Sequence, residues 1–113
     1  MKLIEECGEL ASAILKDNIE EQKDAIGDIF VVLVILAQQT DDLDFDFEDD
    51  GYFDSMDELI KGIISDYTAS GKISYLVNAC RELNHDLTEC ANIAYNRIKN
   101  RTGKTINGTF IKD

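Results

Sequence analysis

From Ile29 to Ala37 the chain runs through nine consecutive apolar residues, Ile-Phe-Val-Val-Leu-Val-Ile-Leu-Ala. The 113-residue sequence contains no proline, and strict apolar–polar alternation is scarce, so the run is read as helix. A helix apolar on every side must be covered, by a core or by an oligomer interface. The run is too short to span a bilayer. The chain is therefore expected to be an all-α bundle in which one helix is buried more completely than its neighbours.

The helices around this segment carry their own punctuation. Leu3, Cys7, Leu10 and Ile14, with Ile4, Ala11 and Leu15, form a broad apolar face over about Lys2 to Lys16. Asn18 followed by Glu21 reads as a capping box opening the helix that runs to about Gln39. Ser55 with Glu58 opens a third helix to about Tyr67, and Ser70-Gly71 is expected to break the pattern before a fourth, from about Ile73 to Leu83. Asp86 with Glu89 caps a fifth, to about Asn100. In the tail, residues 102–113, Asn107-Gly108 suits a type I′ turn and predicts a small hairpin. Residues 41–58 hold ten of the 23 acidic residues and no basic one, which marks 41–54 as an acidic loop within a single domain.

A formal charge of −12 argues against a nucleic-acid or anionic-membrane partner. Cys7, Cys80 and Cys90 show no metal-type spacing and are read as buried thiols of a reducing compartment. No signal peptide is visible, and the expected location is the cytoplasm.

The chemistry lies in the carboxylates. Glu5, Glu6 and Glu9 fall within an arc of about 100° on the first helix, and Asp24 and Asp28, at i and i+4, share a face of the second. The plain reading is a pair of solvated helix faces. Against it, the face carrying Asp24 and Asp28 continues into Val31 and Ile35, so these two acids stand at the edge of a buried zone. Unpaired carboxylates there are costly, and few basic residues lie nearby in sequence. A hard divalent cation held by oxygens, Mg²⁺ or Mn²⁺, is the natural compensator. Gly27 lowers helix stability by about 1 kcal/mol relative to alanine, and a close helix approach beside the acids would explain it.

Two stretches, Glu5-Glu6-Cys7-Gly8-Glu9-Leu10 and Ala25-Ile26-Gly27-Asp28-Ile29-Phe30-Val31-Val32-Leu33, resemble the MazG-like nucleotide pyrophosphohydrolases. The pattern of that family is Glu-x-x-Glu, a spacer, then Glu-x-x-Asp. The C-terminal residues, Glu89-Cys90-Ala91 through Ala94-Tyr95-Asn96-Arg97-Ile98-Lys99-Asn100-Arg101 to Asn107-Gly108-Thr109-Phe110-Ile111-Lys112, are similar to the end of its short, phage- and Gram-positive-type members. The resemblance implies an oligomeric bundle of four to five helices, a dimer or tetramer. It implies Mg²⁺-dependent cleavage of a nucleoside triphosphate between the α and β phosphates, giving a monophosphate and pyrophosphate. Glu6, Glu9 and Asp28 would hold the metal, and Glu5 or Glu6 would serve as general base toward water. An Asn and a Lys that contact nucleotide in relatives carry over to Asn96 and Lys99, with Arg101 beside them. Relative to the short members, residues 44–84 look like an insert.

Two departures from the pattern matter. Ala25 occupies the position of the second Glu, and Asp24 is the expected replacement. Relatives carry a helix before the Glu-Glu segment, whereas here the motif starts five residues from Met1. Either the site is incomplete or a partner subunit supplies that helix. These departures define the alternative: a catalytically inactive, oligomeric interaction module of the same family. A third reading is a calcium loop at Asp46–Asp57, acidic at several ligand positions with Gly51 at the turn. His85 is expected at the surface or at a cap rather than in catalysis.

Overall fold

The computed structural model describes residues 1–40, 55–102, 105–106 and 109–110, with side chains through residue 100. Five helices form, α1 (Lys2–Leu15), α2 (Ile19–Gln39), α3 (Met56–Ser65), α4 (Ala69–Glu82) and α5 (Leu87–Thr102). They are followed by two-residue strands β1 (Thr105–Ile106) and β2 (Thr109–Phe110), paired antiparallel. The expected Asn107-Gly108 turn and residues 46–54 of the calcium-loop candidate at Asp46–Asp57 lie outside the described residues. Among the described residues no helix is long and apolar enough to cross a membrane.

The helix starts follow the predicted chemistry. Asn18 Oδ1 accepts from the Glu21 amide at 3.1 Å, and Ser55 Oγ from the Glu58 amide at 3.3 Å. Asp86 Oδ1 accepts from the Thr88 amide at 2.9 Å, while Glu89 turns away to pair with Lys23 of α2. Both short connections, α1–α2 and α4–α5, close as Schellman turns. Asp17 (φ 55°) and Asn84 (φ 59°) take the left-handed position, and the next amides, of Asn18 and His85, reach back to the carbonyls of Ala13 and Cys80.

The break between α3 and α4 differs from expectation. It falls at 66–68, and Ser70-Gly71 belongs to the first turn of α4. The reason is Thr68, whose Oγ1 accepts from the Gly71 amide at 3.1 Å. The Asp66 carboxylate accepts from the Thr68 amide and hydroxyl and lies where a Cβ on Gly71 would stand. Gly71 thus admits the acid that organises the turn; it does not end a helix.

The central element is α2, which packs against α1, α4 and α5, while α3 and α4 form a hairpin closed against α1 and α2. Leu10 from α1, Ile26, Ile29 and Leu33 from α2, Ile63 from α3, Ile73 and Leu76 from α4, and Cys90 from α5 share one core. The residues expected as an insert therefore contribute to the same core as the acidic helices. Lys72 is buried beneath this hairpin, and its ammonium donates to the carbonyls of Ile63 and Ile64 at 3.1 and 2.8 Å, satisfying the end of α3. Cys7, Cys80 and Cys90 are all buried and free, with burial pushing their thiols up to about 11, 12 and 11. Such thiols are packing groups, not nucleophiles.

Along α2 one stripe is buried, Ile29, Leu33 and Ala37, while Ile35 on the other side is 48% exposed. Phe30, Val31, Val34 and Ile35 line an apolar groove shared with Ala91, Tyr95 and Ile98 of α5. Among the described residues, one stripe of this helix is fully covered, Phe30, Val31 and Val34 are half-buried, and Ile35 is exposed.

Candidate metal centre

The acidic residues of α1 converge as their spacing predicts. One carboxylate oxygen from each of Glu5, Glu6 and Glu9 lies within 4.8 Å of the others. Glu5 and Glu9 are exposed, whereas Glu6 belongs to the buried face with Cys7 and Leu10 and is only 4% exposed. Its Oε1 pairs with Lys2 Nζ at 3.0 Å, an i,i+4 pair on α1. Its Oε2 is buried with no hydrogen-bond partner.

Asp28 faces the same cleft from across the α1–α2 interface. Lys2, Glu5, Glu6, Glu9 and Asp28 line a cleft of about 290 Å³, closed on its apolar side by Val31, Val32, Ala94 and Ile98. A second cleft, about 300 Å³, shares Glu9 and Asp28 and adds Ser12, Lys16, Glu21, Asp24 and Ala25. Asp24 is therefore on the second cleft, one turn from Asp28, with about half its side chain exposed. Ala25 is buried at the floor between them.

The site's electrostatics are those of acids short of positive charge. Burial raises the Asp28 carboxyl above its ordinary value; Arg97 opposes the rise, and the charges of Glu6 and Asp24 reinforce it. The Glu9 carboxyl is also raised, first because protonation lets it donate to the neighbouring Glu6 carboxylate and then by the Glu6 charge, with burial, Glu5 and Asp28 adding to it. Lys2 is shifted up as well, chiefly by its hydrogen bond to Glu6. Four carboxylates around one cleft, one with a buried oxygen lacking any partner, fit a hard divalent cation bound through oxygen. Glu5, Glu6 and Glu9, with oxygens within 4.8 Å of one another, and Asp28 on the same cleft are the side chains that could hold it.

Positive charge arrives from a helix far away in sequence. Arg97 of α5 places Nη2 3.3 Å from Asp28 Oδ1 and 3.8 Å from Asp24 Oδ1, and it lines both clefts. Its position follows from the packing of α5 on α2. At Gly27 the helices approach so closely that a Cβ would overlap the Cys90 carbonyl. Cys90, Ala94 and Arg97 fall on one face, so the third of them meets the acids. This is the close approach that Gly27 in mid-helix leads one to expect. Asn96 and Lys99 are exposed on α5 and line neither acidic cleft. The Arg101 side chain lies outside the described residues. Arg97 carries a signal the sequence reading passed over, its spacing from Cys90 and Ala94; Lys2 carries another, its i+4 relation to Glu6.

His85 is neither free at the surface nor catalytic in position. Its Nε2 lies 2.8 Å from Oε1 of the buried Gln22, whose amide donates to the Ala13 carbonyl at 3.4 Å. The pair ties the α4–α5 turn to the α1–α2 turn.

Residues 1–58, just over half of the chain, match the family model described as MazG nucleotide pyrophosphohydrolase domain. Over 39 residues the chain is 56% identical to an uncharacterised 18.2 kDa protein from the rep-hol intergenic region of Haemophilus phage HP1 (strain HP1c1). That similarity covers 34% of this chain and 24% of the phage protein, so the chain spans about a quarter of that relative. No solved structure matches. The matched residues contain α1, α2 and all of the acidic cluster, and on that ground the chain belongs to the MazG nucleotide pyrophosphohydrolase domain family.

Proposed function

We propose that this protein is a Mg²⁺-dependent nucleoside triphosphate pyrophosphohydrolase that converts a (d)NTP to the monophosphate and pyrophosphate. The observation that carries the reading is the buried, unpartnered Oε2 of Glu6 at the floor of a cleft where Glu5, Glu9 and Asp28 meet. A buried carboxylate oxygen without a partner is costly, and a cation supplies the missing interaction. Glu6, Glu9 and Asp28 hold the metal, with Asp24 serving in place of the family's second Glu. Bound there, the cation offsets phosphate charge and lowers the pKa of water. Glu5, exposed at the rim, accepts the proton of the attacking water; Glu6 is the other candidate for that role. Val31, Val32 and Ile98 close the apolar side of the cleft and exclude bulk water from it.

A second copy of this chain is the partner we propose. The apolar groove between α2 and α5 would be its contact, since Ile35, Tyr95 and Ile98 on it are exposed among the described residues. Light scattering checks this: a dimer or tetramer converted to monomer by Ile35→Glu is expected.

The experiment on activity is pyrophosphate release from a panel of canonical and modified triphosphates, with Mg²⁺, Mn²⁺ or EDTA, and with Asp28→Ala alongside. Metal-dependent release of pyrophosphate and monophosphate, lost in the variant, is the expected result. The alternative, an inactive interaction module, is favoured by one observation: Ala25 lies buried in the cleft where the family carries a carboxylate. Metal binding by a folded protein with no turnover of any triphosphate would establish it.

A further inference from the structure

We propose that Arg97 is a switching cation of this site: it neutralises Asp28 and Asp24 while the cleft lacks a divalent ion, and it engages the substrate's polyphosphate when the ion is bound. The proposal rests on the metal-dependent reading above and assigns the phosphate contact to Arg97 rather than to Asn96 or Lys99, which line neither acidic cleft.

Four observations support it. Arg97 reaches both acids through a single nitrogen, Nη2, at 3.3 and 3.8 Å. Its Nε is buried and has no hydrogen-bond partner, so much of the guanidinium fork is unused in this arrangement. The side chain is 42% exposed and lines both clefts, which leaves it room to turn. The helix behind it is fixed: Ala94, one turn earlier, is buried, and Cys90 is locked against Gly27. Movement of the charge therefore belongs to the side chain rather than to α5.

The chemistry gives the direction of the switch. A divalent ion that takes the oxygens of Asp28 competes with the guanidinium for the same lone pairs and repels it. The displaced guanidinium then needs an anion with two adjacent acceptors. A phosphate bound to the same ion offers such a pair, in the bidentate geometry that arginine satisfies and lysine does not. Lys99 stands about 180° around α5 from Cys90 and cannot share this position.

The test uses the intact chain and two probes, Mg²⁺ alone and inorganic tripolyphosphate at saturating Mg²⁺, each titrated by calorimetry into wild type, Arg97→Gln and Arg97→Lys. Arg97→Gln is expected to bind Mg²⁺ severalfold more tightly, because the internal competitor is gone. The same variant is expected to bind tripolyphosphate about tenfold or more weakly, as befits loss of a charged hydrogen-bond pair. Arg97→Lys should recover the metal affinity of wild type and only part of the tripolyphosphate affinity. A variant that binds Mg²⁺ more weakly, or tripolyphosphate as tightly as wild type, would overturn the proposal and make Arg97 a structural tie between α5 and α2. Absence of Mg²⁺ binding by wild type would instead remove the metal reading itself, and the switch with it.

Discussion

At the scale of single residues, Glu6 shows how folding and function pull apart. Its position between Leu3 and Leu10 buries it with the core, yet only Lys2 answers its charge. Gln at this position keeps the shape and removes a buried charge with an orphan oxygen. Glu6→Gln is expected to leave the metal-free protein as stable or more stable, by up to about 1 kcal/mol in urea unfolding. It is also expected to abolish the Mg²⁺-dependent rise in melting temperature. A loss of several kcal/mol in the metal-free variant would show instead that the Lys2–Glu6 pair holds the fold. That Glu6 groups with Glu5 and Glu9 was legible from spacing alone. That one of its oxygens lacks a partner was not, because a partner is a property of what packs opposite.

At the scale of elements, the contact between α2 and α5 decides the site. Alanine is a better helix former than glycine by about 1 kcal/mol, yet its Cβ at Gly27 would overlap the Cys90 carbonyl. Gly27→Ala is therefore expected to destabilise by about 2 kcal/mol or more despite the propensity gain, and to tighten Mg²⁺ binding by drawing Arg97 away from Asp28. Chemical denaturation and a metal titration on one variant check both parts. The α3–α4 hairpin has its own pin in Lys72, which holds the last carbonyls of α3. Replacing it by methionine keeps the stem and loses two charge-assisted hydrogen bonds, for an expected destabilisation of about 2–3 kcal/mol. The caps at Asn18, Ser55 and Asp86 were readable because a cap is local chemistry. The α3–α4 boundary was misplaced because Gly71 reads as a helix breaker until Asp66 is seen folded against it.

At the scale of the whole molecule, the raised Asp28 and Glu9 carboxyls link stability, pH and metal. A carboxyl with a raised folded-state pKa binds its proton more tightly in the fold than in the unfolded chain. Its contribution to the metal-free fold is therefore greatest at low pH and is lost as pH rises from the unfolded carboxylate value through the folded one. A divalent cation reverses that trend, because it binds the deprotonated acids. At a concentration near 100 times its Kd, Mg²⁺ is expected to add about 2.7 kcal/mol at neutral pH. Near pH 5 the gain is expected to be clearly smaller, because protons compete for the same oxygens. Melting curves with Mg²⁺ and with EDTA at both pH values check this, and an equal gain at both would place the bound ion elsewhere.

The sequence by itself determined the helical class, the five-helix order and the grouping of Glu5, Glu6 and Glu9, because helical periodicity and capping act over a few neighbouring residues. It also determined that something must approach Gly27 closely. Only the tertiary structure decided what approaches, and hence that Arg97, distant from Asp28 in the chain, supplies the positive charge that the sequence neighbourhood of the acids lacks. It also decided that, among the described residues, Ile35 of α2 stands exposed on an apolar groove shared with α5. Those outcomes depend on how helices cross and which faces meet, and no local rule of spacing contains that information.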